Sequence, residues 1–553
     1  MSSGKAKQKQ VAEDVEHIEV SDSSEEEEDH TLPEGSTSAG IPSASSSKKK
    51  KKKKSKALKA LNALRGHKDE VPQELVDVVL EKVKEQGDPT VANADEATVR
   101  LALEQMKIKD VIQGKAGVGG INKKDMGGHK FWSTQPVPQL DEGPPLGDGY
   151  IEPSKPREEV KQDPYPLPKE FEWCTIDVTD PNQLREFYEL LSANYVEDEE
   201  AAFRFQYSAD FLKWALLPPG SHKEWLVGVR VVSNKKLVAS IAAVPITVSV
   251  RNHIIKASEV NFLCIHKKLR SKRLAPVLIK EVTRQCHLKG VFQALYTGGI
   301  LIPTPVSTCR YYHRMLNIPK LVAVQFTHVP SNMTQARMIR LNKVAERPRL
   351  LDSGLREMEE KDVDEVAALY QRYMERFGMY LVMTKDEIRH HFLTGRGEGP
   401  STKNSWKTPR ENQVVWTYVV ENPQTHKITD FVSFYSLPST VMNNPKHNLL
   451  NVAYLYYYAS EVAFESDGEE SGRLKRRLEE LVGDALVIAD QAKFDVFNAL
   501  TLMDNVSFLS TLRFGTGNGL LNFYLYNWRT SPLAGVTEQD GVPAGKGVGI
   551  VMI

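Results

Sequence analysis

Glu259-Val260-Asn261-Phe262-Leu263-Cys264-Ile265-His266-Lys267-Lys268-Leu269-Arg270-Ser271-Lys272-Arg273-Leu274-Ala275-Pro276 is the stretch on which the fold turns. Its first seven residues are mostly apolar and partly β-branched and predict a strand over Glu259 to Ile265. A turn carrying five lysines and arginines follows, Lys267, Lys268, Arg270, Lys272 and Arg273. From Pro276 to Leu288 the pattern becomes helical, with proline early in the first turn and Gly290 just past the end. A strand, a basic turn and a helix in succession present backbone amides and a helix N-terminus to a phosphate group.

Working outward, strands and helices alternate. Leu226 to Val232 and Leu237 to Val250 predict strands broken at Ser233-Asn234, and Ala294 to Thr297 begins another that stops at Gly298-Gly299. The pattern restarts near Arg347. A helix over Asp362 to Arg376 is followed by strands over Val414 to Val420, Ile428 to Ser436 and Tyr454 to Ala459. A long helix over Leu474 to Lys493 and a last strand over Phe523 to Trp528 complete the series. The order of elements in the second half echoes the first. The expected fold is therefore α/β, with two similar halves, each a mixed sheet flanked by helices. Boundaries fall at 126–345 and 346–553, with polar, mobile loops at Gly395 to Arg410 and Glu465 to Gly472.

The chain has 553 residues, 41% hydrophobic and 26% charged, and 72 basic residues balance 72 acidic ones. That balance gives no overall bias towards nucleic acid or membrane. Cys174, Cys264, Cys286 and Cys309 form no CxxC pair, which argues against a disulfide framework and a structural zinc site. No segment approaches the ~20 apolar residues of a membrane span, and no signal peptide opens the sequence, so a cytoplasmic protein is expected. Residues 1–125 read as a low-complexity tail and linker with short helical patterns, including Leu75 to Leu80 and Val99 to Met106. Within it an acidic block, Glu25 to Asp29, precedes seven consecutive lysines, Lys48 to Lys54. Blocks of like charge repel and stay disordered. The lysines fit a solubilising tail, a nuclear localisation signal, or a docking arm for ribosomal RNA or acidic lipid. The acidic block could mask them, more so with Ser21, Ser23 and Ser24 phosphorylated.

The basic turn after Ile265 contains no glycine and no GK[ST] ending, unlike a nucleotide P-loop. It suits the 3′- and pyrophosphates of coenzyme A, although a merely solvated basic loop has the same composition. Against the looser Arg/Gln-x-x-Gly-x-Gly/Ala pattern of acetyltransferases, Arg270 and Ala275 are in register and Arg273 stands where a glycine would be.

The run EVNFLCIHK, Glu259 to Lys267, with LRSKRLAP, Leu269 to Pro276, resembles the signature of the N-myristoyltransferase family, of the fungal type. The resemblance runs from Phe131 to Ile553. It includes Lys130-Phe131-Trp132, Asn194-Tyr195-Val196-Glu197-Asp198, Thr308-Cys309-Arg310-Tyr311-Tyr312-His313-Arg314, Leu437-Pro438-Ser439-Thr440 and Tyr524-Leu525-Tyr526-Asn527-Trp528. It implies two pseudo-symmetric acetyltransferase-like (GNAT-type) halves, the first holding acyl-CoA and the second most of the peptide groove. Myristoyl would pass from myristoyl-CoA directly to an N-terminal glycine amine, with no permanently bound cofactor and no metal. Lys130, Phe131 and Trp132 would contact acyl-CoA, as would Phe262, Leu263, Cys264, Ile265, Ser271, Arg273, Leu274 and Ala275. Backbone amides of Phe262 and Leu263 would form the oxyanion hole, since preorganised donors stabilise the charge a thioester carbonyl develops. Cys264 is expected to be a small apolar strand residue and not an acyl carrier. Peptide recognition would involve Tyr195, Phe203, Phe205, Tyr311, His313, Ser439, Tyr454 and Asn518. The acidic run Glu197 to Glu200 would attract a lysine downstream of the glycine, or is simply a solvated loop.

The amine must lose a proton first, which at pH 7 costs about 1.4 kcal/mol for an α-amine of pKa ~8 against about 5 for a lysine at ~10.4. By the resemblance the base is the C-terminal carboxylate of Ile553, with Asn261, Thr297 and His313 to hold the amine or relay its proton. The apolar ending Gly547 to Ile553 fits a tail threaded into a core, or an ordinary buried strand. An α-carboxyl near ~3.5 accepts a proton poorly unless burial raises it, so placing the ammonium matters as much as deprotonating it. Two departures stand out. The family's Lys-Phe-Gly-x-Gly-Asp-Gly reads Arg513-Phe514-Gly515-Thr516-Gly517-Asn518-Gly519, and Val536 to Lys546 is a loop insertion. Rival readings are a short-chain acyl-CoA N-acyltransferase and a catalytically silent, ribosome-associated module. Nothing in the sequence demands more than a monomer.

Overall fold

The structure, a computed structural model, describes residues 130–553 apart from 140, 141, 144, 146, 198–201, 401, 403–405 and 443. The expected tail over 1–125, with its acidic block, Lys48–Lys54 and helical patterns, lies outside the described residues.

Five strands begin the first half: β1 (Phe171–Thr175), β2 (Phe203–Phe205), β3 (Leu226–Val231), β4 (Leu237–Val250) and β5 (His253–Ile265). Two more close it, β6 (Gln293–Gly298) and β7 (Ser307–Met315). Helix α1 (Pro181–Asn194) is started by proline at its first position and by Asp180, whose carboxylate accepts the Asn182 N–H at 2.9 Å. Helix α2 (Ala209–Leu216) is capped by the Ser208 hydroxyl, and α3 (Leu274–Leu288) joins β5 to β6. After α4 (Ile318–Ala323) and α5 (Gln335–Asn342) the second half begins. It holds β8 (Leu355–Glu357), α6 (Val363–Met374), β9 (Met379–Leu381), α7 (Lys385–Arg389), β10 (Val415–Glu421), β11 (Ile428–Ser436), β12 (Ser439–Val441), β13 (Leu449–Leu450) and β14 (Val452–Ser460). It ends with α8 (Arg473–Gln491), β15 (Val496–Leu500), α9 (Asn505–Phe508), β16 (Gly515–Tyr526) and β17 (Val548–Gly549). Helix α8 buries Leu474, Leu478, Leu481, Val482 and Ala485 on one stripe, the 3.6-residue spacing of a helix packed on a sheet.

Fourteen strands share one sheet, with main path β1-β3-β4-β5-β6-β16-β7-β15-β14-β11-β10-β8 and with β9 and β17 attached at β4. The path reads as two copies of one pattern. In the first, antiparallel neighbours lead to a parallel pair, β5 with β6; in the second they lead to the parallel pair β14 with β15. Helices α3 and α8 make the two crossovers, as parallel neighbours require. The last strand of each copy crosses to the other: β7, which follows β6, pairs with β15, and β16, which follows β15, pairs with β6. The expected pair of similar mixed-sheet halves is thus present as one continuous, strand-exchanged α/β sheet. A second sheet, β13-β12-β2, joins the halves at Ser439↔Phe205.

Several elements differ from the sequence reading. Strand β5 starts at His253 and not Glu259, because a tight turn at Arg251 (φ +53°) folds it back on β4 while His253 and Ile254 face solvent and hide the apolar pattern. Helix α3 starts at Leu274, so Pro276 sits in the first turn, where a missing N–H costs nothing. Strand β16 starts at Gly515, eight residues before Phe523, because its glycines slide against β7. Ion pairs involve described residues of both polar loops. Arg410 pairs with the buried Glu357 carboxylate. Glu469 is held by Arg376 and Lys546, and Arg473 grips Glu465 and Asp467.

Candidate active site

Parallel pairing of β5 with β6 spans only Ala257 to Glu259 opposite Gln293 to Leu295. Beyond it the strands part. On β5 the ladder to β4 then skips, with Ser240 opposite Cys264 but Ala242 opposite Asn261, so Phe262 and Leu263 form a β-bulge. Phe262 has φ +55°, an unusual conformation for a bulky residue that persists only where its surroundings impose it. Those surroundings are the Phe187, Tyr195 and Tyr207 rings around the buried Phe262 ring, and the Ser240 hydroxyl, which donates to the Phe262 carbonyl at 3.0 Å. The bulge turns the Phe262 amide off the ladder, and in this structure that N–H donates to the Tyr195 hydroxyl at 3.0 Å. The amide expected to serve an oxyanion hole therefore already has an acceptor, supplied by a residue expected in the peptide site.

Cys264 is 2% exposed and burial pushes its thiol up to about 12. At neutral pH such a thiol supplies almost no thiolate. Leu263 and Ile265 pack into the small core beneath α3. In the basic turn, Ser271 (φ +66°) and Arg273 (φ +57°) are left-handed and bring the chain sharply into α3. No side chain caps that helix, so its first amides, at Leu274 and Ala275, remain as donors for an anion. The turn is fastened to α1: Lys267 N–H donates to Asn194 Oδ1 at 3.0 Å, and Arg270 donates to the Asn194 carbonyl. Glu197 accepts from both Arg204 and Lys267, the latter at 2.6 Å. The Glu197 carboxylate is thus ion-paired within the protein, and the rest of the acidic run lies outside the described residues.

Trp132 stacks on Tyr296 at 5.6 Å, and Tyr296 stacks on Tyr524 at 5.1 Å. Phe131 packs edge-on to Trp132, beside the exposed Lys130. This places Lys130, Phe131 and Trp132 over β6, adjoining Thr297, which lies opposite Phe523 of β16. On the other side of the bulge, Tyr207 shares an aromatic cluster with Tyr195, Phe205, Tyr311, Tyr435 and Tyr454, in which Tyr435 and Tyr454 stack at 5.3 Å. Ser439 lies beside Phe205 in the second sheet, and Phe203 packs on Phe326. His313 is half-buried, desolvation lowers its pKa, and its Nδ1 lies 2.6 Å from Asn498 Oδ1. A Cβ at Gly517 would fall 2.7 Å from the Tyr311 carbonyl oxygen and onto the His313 ring, so only glycine lets β16 lie this close.

The terminal residues come to the same place. Val548 and Gly549 pair in parallel with β9, and Ile550, Val551 and Met552 are buried. The Val551 N–H donates to the Tyr457 hydroxyl at 3.1 Å, and the Tyr435 hydroxyl donates to the Met552 carbonyl. Ile553 lines the same crevice as Glu259, with its backbone against the Glu259 carboxyl, which accepts Asn261 Nδ2–H at 2.8 Å. Ile553 thus lies beside the residue three before Phe262. Sequence reading did not single out Glu259, although an acid at the head of an otherwise apolar strand was a visible signal.

Residues 150–309 match the N-terminal domain, and residues 323–551 the C-terminal domain, of myristoyl-CoA:protein N-myristoyltransferase. The chain belongs to the N-myristoyltransferase family. The glycylpeptide N-tetradecanoyltransferase of Aspergillus fumigatus is 50% identical over 466 residues, 84% of this chain and 91% of that one. The Saccharomyces cerevisiae protein of the same name is 46% identical over 438 residues, covering 78% and 93%. The crystal structure of Saccharomyces cerevisiae N-myristoyltransferase with bound myristoyl-CoA superposes with TM-score 0.71 at 46% identity, over 77% of this chain and 99% of that one. The segment over residues 536–546 turns at an isolated bridge between Gln539 and Val542 and ends at Lys546, which is ion-paired to Glu469 and Asp504. Asn518 lies exposed in β16, near the glycines that contact Tyr311 and His313. Among the described residues no cluster of three or more metal-ligating side chains occurs, and no helix is long and apolar enough to cross a membrane.

Proposed function

We propose that this protein transfers the myristoyl group of myristoyl-CoA to the N-terminal glycine amine of proteins by direct attack on the thioester. The observation that carries the mechanism is the meeting of the Ile553 terminus with Asn261 and the Phe262 bulge, through Glu259. Residues 126–345 form the acyl-CoA half and 346–553 the peptide half, each acetyltransferase-like. Acyl-CoA lies where β5 and β6 part, its phosphates on the basic turn and the α3 amides, with Lys130, Phe131 and Trp132 against it. Its thioester oxygen takes the Tyr195 hydroxyl's place as acceptor for Phe262 N–H, with Leu263 N–H as second donor. The glycine nitrogen, held by Asn261 and Thr297, gives a proton to the Ile553 carboxylate and bonds to the carbonyl carbon. The C–S bond then breaks, and CoA leaves as its thiol. No side-chain nucleophile takes part, consistent with the neutral Cys264 thiol. The peptide lies among Tyr195, Phe203, Phe205, Tyr311, His313, Ser439, Tyr454 and Asn518. The protein acts in the cytoplasm as a monomer, with Lys48–Lys54 supporting ribosome association.

The test incubates the protein with labelled myristoyl-CoA or acetyl-CoA and a Gly-x-x-x-Ser peptide. Preferred transfer of the long chain is expected; acetyl preference or no transfer overturns the reading. Deleting residues 1–65 should weaken ribosome cosedimentation at low salt and spare peptide turnover.

A further inference from the structure

The transfer mechanism leaves one buried acid without a task. Glu259 is 7% exposed, at the point where β5 leaves β6. Taking a carboxylate out of water is costly unless donors surround it. Here the Asn261 side chain donates to it, and the Ile553 backbone lies against it in the same crevice. Around them stand the phenols of Tyr435, Tyr456 and Tyr457, with His391, Glu387 and Ile553 lining the same crevice. No lysine or arginine acts on Glu259, and burial pushes its carboxyl up to about 7.

We propose that Glu259 is the positioning residue of the reaction centre, its carboxylate holding Asn261 and the terminal residue Ile553 in one arrangement so that amine and base meet. This rests on the transfer reading above. The geometry gives the reason for an acid here. A carboxylate only accepts, and the Asn261 side chain donates to it. Protonation removes the charge and leaves a weaker acceptor for both neighbours. Glutamine, of the same shape, is likewise a neutral and weaker acceptor. Arrangement and rate therefore depend on the charge of a group that touches no substrate.

The full-length protein with Glu259→Gln is compared with wild type in single-turnover myristoyl transfer. The expected result is a kcat loss of about 10- to 100-fold, as for a misplacement near ~1 Å, with peptide KM and myristoyl-CoA Kd within about threefold. Between about pH 6 and 8 the wild-type kcat should rise with two ionisations, and that of Glu259→Gln with the amine's alone. Removing Ile553 should abolish any further effect of Glu259→Gln, because residues acting as a unit are not additive. Asn261→Asp sets two acids face to face, and Glu259→Gln added to it should recover activity. This pair keeps the proposal testable if one single variant folds poorly. A Glu259→Gln kcat within about twofold of wild type, a loss confined to KM or Kd, or full additivity with the Ile553 deletion overturns the proposal. A wild type that moves no myristoyl group overturns the transfer reading and this one together; an active wild type with an indifferent Glu259→Gln overturns this one alone.

Discussion

Replacing Gly547 by alanine asks how tightly the end of the chain is held. A Cβ at that position lands 2.9 Å from the carbonyl carbon of Ala534, and closer still to the nitrogen and oxygen of the same residue. Non-bonded carbons rest ~3.5–4.0 Å apart, so the two segments must separate by something approaching 1 Å. They cannot do so freely: Gly547 N–H donates to the Ala534 carbonyl at 3.1 Å, and Val548 pairs with Met379 one residue later. Overpacking of this kind costs about 1–3 kcal/mol of stability. The larger effect is on rate. The displaced backbone continues directly into Ile550–Ile553, and a ~1 Å error at a reacting group costs roughly a hundredfold. Gly547→Ala should therefore lower kcat about 10- to 100-fold while leaving myristoyl-CoA affinity within about threefold, because the basic turn and α3 make no contact through Gly547. Single-turnover transfer of a labelled acyl group gives the rate, and titration calorimetry gives the affinity. Adding Ala534→Gly should not rescue the variant, since the obstruction is backbone. A kcat within about threefold of wild type would refute the claim that the terminus must be placed this closely.

Tyr195→Phe leaves the Phe262 amide buried without its acceptor in the free protein, a cost of about 1–3 kcal/mol that a thioester oxygen would relieve. Myristoyl-CoA should bind at least severalfold more tightly by calorimetry; weaker binding counts against the oxyanion-hole assignment. Cys264→Ala should keep kcat within about threefold, whereas a loss of a hundredfold or more would revive a covalent acyl-enzyme. Burial holds His391 neutral, with its pKa lowered to about 3, whereas a histidine in the unfolded chain sits near ~6.5. The unfolded chain therefore takes up a proton that the folded one refuses, and stability falls as pH drops from about 6.5 towards 3, with no effect above that range. His391→Gln should flatten the decline in Tm between about pH 7 and 5, and an unchanged slope would refute the assignment.

Much of the α/β pattern was legible because it is local. Leu237 to Val250 and Ile428 to Ser436 are buried β-branched runs whose ends are marked by turn residues, and their predicted bounds match β4 and β11. What stayed hidden depends on contacts between distant residues. No periodicity places β16 between β6 and β7, or sends Val548 to Met379. The bulge is silent as well: Phe262 is a good strand former, and only the register against Ser240 and Ala242 shows it left-handed. For the site, the basic turn could be read as an anion cradle from composition. The roles given to Asn261, Thr297 and the terminus came from family resemblance, and Glu259 emerged only once Ile553 was seen to reach it.

The exchanged strands have a consequence for how the molecule comes into being. Strand β6 waits for a neighbour encoded more than two hundred residues downstream, and β7 waits for β15. During synthesis the first half emerges with an unfinished sheet edge, which is exposed to mispairing until the rest arrives. Pairings so far apart in sequence also close slowly. A ribosome that stops before β16 releases a chain whose first-half sheet stays open at β6, so closure of that edge is delayed until the second half has been made.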